Sequence, residues 1–110
     1  MDKVHNYDLS IFADKLAEIK SAMLLLNVYI QKRDALNRIE LTKKDIANVL
    51  NKTPRTVANW ILKLAKNGAI KYQYSGSTRL NPFFYFDGTQ EEYAQAITEW
   101  ENFQNNIKAS

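Results

Sequence analysis

At Ile70 the apolar pattern of this chain changes period, and that change constrains the fold more than any other feature. Upstream, apolar residues recur every three or four positions; Ile70, Tyr72 and Tyr74 then alternate with Lys71, Gln73 and Ser75. The first pattern is that of amphipathic helices and the second that of a half-buried strand. Asn67-Gly68 stops the helical part and Asp87-Gly88 closes the alternating part, since both dipeptides favour turns. The spacing predicts a mainly α fold with a small β-hairpin over 70–86.

The punctuation upstream is as clear. Thr42-Lys43-Lys44-Asp45 has the form of a capping box with Asp at its last position. Ile46, Val49 and Leu50 form the buried side of the helix it opens, and Ala47 is small where a second helix approaches. Asn51 tolerates the left-handed conformation that ends a helix. Thr53 then caps a second helix, with Pro54 at its first position, where a missing N–H costs nothing. The helix-turn-helix so defined covers 42–67. Arg38 to Leu41 reads as a short strand before it, and Asp34 to Asn37 as a polar loop.

The outer segments complete a single domain. Residues 1–9 read as a flexible tail. Residues 10–32 read as an N-terminal helix, capped by Asp8 or Ser10, with the stripe Phe12, Leu16, Ile19, Met23, Leu26 and Ile30. Leu24, Leu25, Val28 and Tyr29 add a second apolar face, covered either by the same core or by a second subunit. Residues 89–105 read as a C-terminal helix with a capping box at Thr89 to Glu92 and an apolar face of Tyr93, Ala96, Ile97, Trp100 and Phe103. Residues 106–110 are expected to fray. In the hairpin, a three-residue loop pairs Tyr74 with Thr78 and Tyr72 with Leu80, and Pro82 makes the returning strand an edge or an interrupted one.

Charge is concentrated in the same middle region. Residues 43–79 carry eight basic side chains against the single acid Asp45, a balance of +7; the rest holds seven basic and eleven acidic residues, −4. Charge so polarised concerns partners rather than fold, and a polyanion is the usual partner of a local basic patch. The alternative is a solubilising surface. Strand, helix, turn, helix, hairpin is the winged helix-turn-helix layout, in which a helix enters the major groove of DNA. On the second helix Val57, Ile61 and Leu64 share the inner arc, while Arg55, Asn59, Leu62 and Lys66 point outward. Arg55, Thr56 and Asn59 are therefore the expected base-edge contacts, Arg suiting guanine and Asn adenine. Lys43, Lys44, Lys52 and Lys63 are expected on phosphates, with the helix N-termini at Thr42 and Thr53. The hairpin would add its polar face, Lys71, Gln73, Ser75, Ser77 and Arg79. Leu62 would meet a thymine methyl or a partner subunit. Trp60 and the aromatic cluster Tyr72 to Phe86 are expected in packing rather than stacking on bases.

Other classes have little support. Cysteine is absent, which excludes thiolate metal sites and fits a cytoplasmic location; His5 is the only histidine, so a histidine metal site or acid–base pair is not expected. No Gly-rich phosphate loop is present, and Glu91, Glu92, Glu99 and Glu101 read as a solvated face. The first residues lack the apolar core of a secretory signal, and the longest apolar run is far too short for a membrane span. The expectation is a non-enzymatic protein without cofactor, metal or membrane, with no small-molecule ligand evident, binding double-stranded DNA as a homodimer. The dimer is expected through Phe12, Leu16, Ile19, Met23, Leu26, Trp100 and Phe103, because the middle of the domain covers only part of their surface. A protein-interaction adaptor on the same scaffold is the alternative of another class.

From Leu41 to Trp100 the chain resembles winged-helix DNA binders, including the MarR-type regulators, through Leu41 to Ala47, Thr53 to Val57 and Leu64 to Ile70. The run Arg79-Leu80-Asn81-Pro82-Phe83-Phe84-Tyr85-Phe86-Asp87-Gly88 resembles a strand of the RepL-type replication and maintenance proteins of Gram-positive plasmids. That resemblance implies a winged helix binding origin or promoter DNA, with transcriptional repression as the neighbouring role.

Overall fold

In the computed structural model, which describes residues 2–105, most of the chain is helical and two small antiparallel sheets complete it. The elements in order are β1 (Lys3–Tyr7), a 3-10 segment Leu9–Lys15, α1 (Leu16–Ser21), α2 (Met23–Lys32), β2 (Arg38–Glu40), α3 (Lys43–Leu50), α4 (Pro54–Lys66), β3 (Ile70–Tyr72), β4 (Ser77–Leu80), β5 (Tyr85–Thr89) and α5 (Gln90–Asn102). One sheet has the order β2-β4-β3 and the other is the pair β1-β5.

The local capping chemistry is as the sequence predicts. Thr42 and Asp45 form a reciprocal capping box on α3, as do Thr89 and Glu92 on α5. Asn51 ends α3 at φ 53°, in the left-handed region, and Thr53 caps α4 with Pro54 next to it. The core is one cluster in which Phe12, Ile19, Leu25, Leu26 and Tyr29 meet Ile46, Val57, Ile61, Leu64, Ile70, Tyr72, Leu80 and Phe84.

Several expectations are corrected. Residues 3–7 are not a free tail: they form β1, paired to β5 from Lys3↔Thr89 to Tyr7↔Tyr85 and pinned by the Asn6 amide, which donates to Pro82 O at 3.1 Å and Phe83 O at 2.8 Å. The partner strand lies far along the chain, so no local pattern announces it. The helix expected over 10–32 is three segments, capped by Asp8 and broken at Ala22, whose backbone leaves helical angles. At 100° per residue a straight helix would turn Leu25 and Tyr29 well away from Ile19; the break lets all three reach one core. The hairpin register is shifted by two, with Ile70↔Leu80 and Tyr72↔Thr78. A shift of two preserves the faces, so Ile70, Tyr72 and Leu80 are still buried together. The strand expected to run from Thr78 to Phe86 stops at Asn81-Pro82. The next strand, β5, pairs with β1 rather than β3 and runs through Asp87-Gly88 instead of ending there. Val49, assigned to the buried side of α3, is 59% exposed.

The loop between α2 and β2, legible only as polar, joins the two sheets. Asn37, at φ 60° and almost fully buried, donates to Leu80 O at 3.1 Å and Tyr85 O at 2.8 Å. Arg33 donates to Asn37 Oδ1 and to Asp87 O and lies over the rings of Tyr85 and Phe86. Asp34 accepts from the Arg38 side chain at 2.7 Å and from the amides of Leu36 and Arg38. Partial burial pushes its carboxyl up, but these bonds outweigh burial and hold it below the usual range. The expectation for residues 106–110 lies outside the described residues.

Candidate nucleic-acid interface

The outward face of α4 is open along its length. Val57, Ile61 and Leu64 are buried, while Arg55, Asn59, Leu62 and Lys66 are exposed. This is the division that helical spacing predicts, because those four residues return every three or four positions to one side. Two helix N-termini lie at the start of this region, at Thr42 and Thr53, each capped by its own hydroxyl. Lys44, Lys52 and Arg55 are exposed around them and make no ion pair with the described residues. Asp45, the only acid in the region, directs its carboxylate to the Thr42 amide. Lys43 is half-buried, its ammonium 6.0 Å from the centre of the Tyr74 ring at the hairpin tip.

Other expected contacts are committed elsewhere. Thr56 is half-buried, and its hydroxyl accepts the Thr53 hydroxyl at 3.0 Å within the cap. Lys63 turns sideways and donates to Ser21 Oγ at 3.1 Å. It lies near Glu18, whose carboxyl is held low first by the Asn67 amide, against slight desolvation, and then by Lys66, Lys15 and Lys63.

The largest correction concerns the hairpin. Its polar face is covered by the C-terminal part of α5 and the residues after it. Lys71 donates to Trp100 O at 2.5 Å and lies 4.6 Å from the Trp100 ring centre. Arg79 pairs with Glu99 at 3.0 Å and packs over Phe103 at 4.4 Å, with its side chain only 17% exposed. Gln73 donates to Gln104 O, and Ser77 donates to the Glu40 carboxylate. Of the expected hairpin contacts only Ser75 is exposed rather than half-buried, beside Tyr74. The acids that cover the hairpin lie outside residues 43–79, so regional charge counting could not reveal them. Tyr74, missed as a surface group, is 56% exposed next to Lys43; an aromatic residue at a turn position was the available signal.

The helical dimer surface is corrected too. Phe12, Ile19 and Leu26 are 4%, 0% and 0% exposed within their own chain. Leu16 and Met23 are half-buried, and Trp100 and Phe103 lie under Lys71 and Arg79. The apolar stripe is used inside one subunit.

The segment Leu80 to Phe86 has a structural task. Asn81 donates to Gly68 O at 2.8 Å and accepts from the Phe83 amide at 2.8 Å, turning the chain from one sheet into the other, while Leu80, Phe84 and Phe86 are buried. No protein-family model, curated protein or solved structure matches the chain.

Proposed function

We propose that the protein binds double-stranded DNA by placing α4 in the major groove, without catalysis. The observation that carries this reading is the open face of α4, with Arg55 and Asn59 exposed in its N-terminal half and Lys44 and Lys52 exposed beside the two helix N-termini. Arg and Asn can each make bidentate contacts to a base edge, while lysines and helix N-termini favour phosphates. The element order, with β2 added to the edge of the β3-β4 hairpin, supports a winged-helix arrangement. It is an atypical one, because α5 covers the hairpin and leaves Tyr74 and Ser75 at the tip as its outward groups. The set of DNA contacts is accordingly Thr42, Lys43, Lys44, Lys52, Thr53, Arg55 and Asn59, with Ser75 at the tip.

A role in plasmid replication or maintenance rests on the resemblance of residues 79–88 to RepL-type proteins; transcriptional repression uses the same contacts. Selection of bound fragments from random and genomic DNA tests both levels. Enrichment of one motif whose affinity falls by orders of magnitude between low and moderate salt is the expected result. Absence of binding to any duplex at low salt would replace this reading by that of a protein-interaction adaptor.

A further inference from the structure

The four outer sheet edges of this fold are treated unequally. In the three-stranded sheet, β2 is closed at its start by its own loop: the Arg38 amide donates to Asp34 Oδ1 at 2.9 Å, and the Asp34 amide donates to Arg38 O at 3.0 Å. On β3 the Tyr72 amide donates to Asn105 Oδ1 at 3.2 Å. In the other sheet, β5 is closed along its length, with Tyr85 O accepting from Asn37, Asp87 O from Arg33, and the Thr89 amide donating to Glu92. On β1, by contrast, no outward backbone group of Lys3, His5 or Tyr7 is hydrogen-bonded to a described residue. Unpaired strand edges are templates for another strand, which is why folded proteins close them.

The phase of the β1-β5 ladder identifies the open groups. The Gln90 amide donates to Asp2 O at 3.1 Å and the Asp8 amide to Phe84 O at 2.8 Å. In an antiparallel ladder such bonded pairs alternate, so Asp2, Val4, Asn6 and Asp8 turn their backbone groups towards β5. Lys3, His5 and Tyr7 turn theirs outward. These three residues also share one face with Thr89, Asp87 and Tyr85, their register partners.

The geometry points to a second copy of this chain as the occupant: β1 pairs antiparallel with the partner subunit's β1 about a two-fold axis at His5, making one four-stranded sheet. The chemistry of the strand is self-complementary in that register. Lys3 faces the partner subunit's Tyr7, and Tyr7 faces the partner subunit's Lys3, each an ammonium against an aromatic ring. The central histidines are flanked by the two Asp87 carboxylates, one of which already lies 3.7 Å from His5 within its own chain. A shift of two residues either way loses both Lys–Tyr pairs. Exposed Tyr7 and Phe83 lie at the same end of the strand, where Asn6 donates to Phe83 O, and they give the pairing apolar surface to cover. β1 packs on β5 and α5, so the pairing leaves the outward face of α4 open, and the inference stands whether or not that face binds DNA.

His5→Pro isolates the contact. The His5 N–H points away from β5, so proline removes the central inter-subunit hydrogen bonds while the ladder to β5 keeps its own; an edge strand accepts proline at such a position. Sedimentation of the full chain between about 1 and 500 µM should give twice the chain mass at the upper end. The His5→Pro chain should dimerise at least about 10-fold more weakly, with an unchanged circular dichroism spectrum. Leu24→Asp, on the exposed side of α2, should leave the dimer intact. Amide exchange provides a readout that does not depend on the variant: the Lys3, His5 and Tyr7 amides should gain protection with concentration, while Val4 and Asn6 stay constant. A monomeric mass throughout the range, or a dimer in which the His5 amide exchanges at the same rate at every concentration, would overturn the proposal. So would a dimer that survives His5→Pro and is lost in Leu24→Asp.

Discussion

Arg55 and Arg79 have the same side chain and opposite roles, and the difference lies in what surrounds them. Arg55 is exposed on the open side of α4, whereas Arg79 is held by Glu99 and Phe103. On the preferred duplex, Arg55→Ala and Asn59→Ala are each expected to cost about 1–3 kcal/mol and to relax the preference at one base position. Arg79→Ala should leave DNA affinity unchanged and lower folding stability by about 1 kcal/mol, since its ion pair is partly solvated. Titrations with specific and random duplexes, combined with thermal melts, separate these outcomes; equal weakening of both duplexes by Arg55→Ala would exclude a base-edge role. Asp34 carries a pH dependence. Its folded pKa lies below the ordinary value of 3.8, so its contribution is fully present above that value and is lost as pH falls through the folded pKa. Denaturant unfolding between pH 6 and about pH 2 should show a loss of stability at the acid end that is reduced in Asp34→Asn.

At the scale of elements, the hairpin turn shows how a short connection sets the shape of the surface. Gly76 sits at φ +96°, and a Cβ there would lie 2.8 Å from Leu41 O. The turn thus folds down onto the start of α3 and brings Tyr74 to Lys43. Gly76→Ala should therefore cost at least about 2 kcal/mol, combining left-handed strain with a backbone clash. Gly68, at φ +80°, has open space where its Cβ would stand, so Gly68→Ala should cost only the conformational penalty of about 1 kcal/mol. Chemical denaturation of both variants tests the pair, and equal costs would show that the turn is not pressed against Leu41. Helix ends were legible from sequence because capping is decided within four residues. The break at Ala22 was not, since no glycine or proline marks it and its cause is the direction of the core.

Across the whole molecule, Asn37 ties the two sheets together, its amide bridging a carbonyl of β4 and one of β5. Asn37→Ala removes both buried bonds and puts alanine at φ 60°, for an expected loss of about 2–4 kcal/mol. Exchange protection should fall in β4 and β5 together; loss confined to one sheet would show that Asn37 does not couple them. By itself the sequence determined the helix starts and stops, the inner and outer arcs of α4, and the change of period at Ile70, because these depend on neighbours three or four residues apart or on strict alternation. Only the tertiary structure decided which basic residues face solvent, that residues 3–7 are a strand, and that Phe12, Ile19 and Leu26 of the first stripe are buried inside one subunit. Each of those outcomes depends on a partner distant in the chain: Glu99 for Arg79, Trp100 for Lys71, β5 for β1. A residue's type and spacing say which contacts it can make, and the packing of remote segments decides which of them remain available to another molecule.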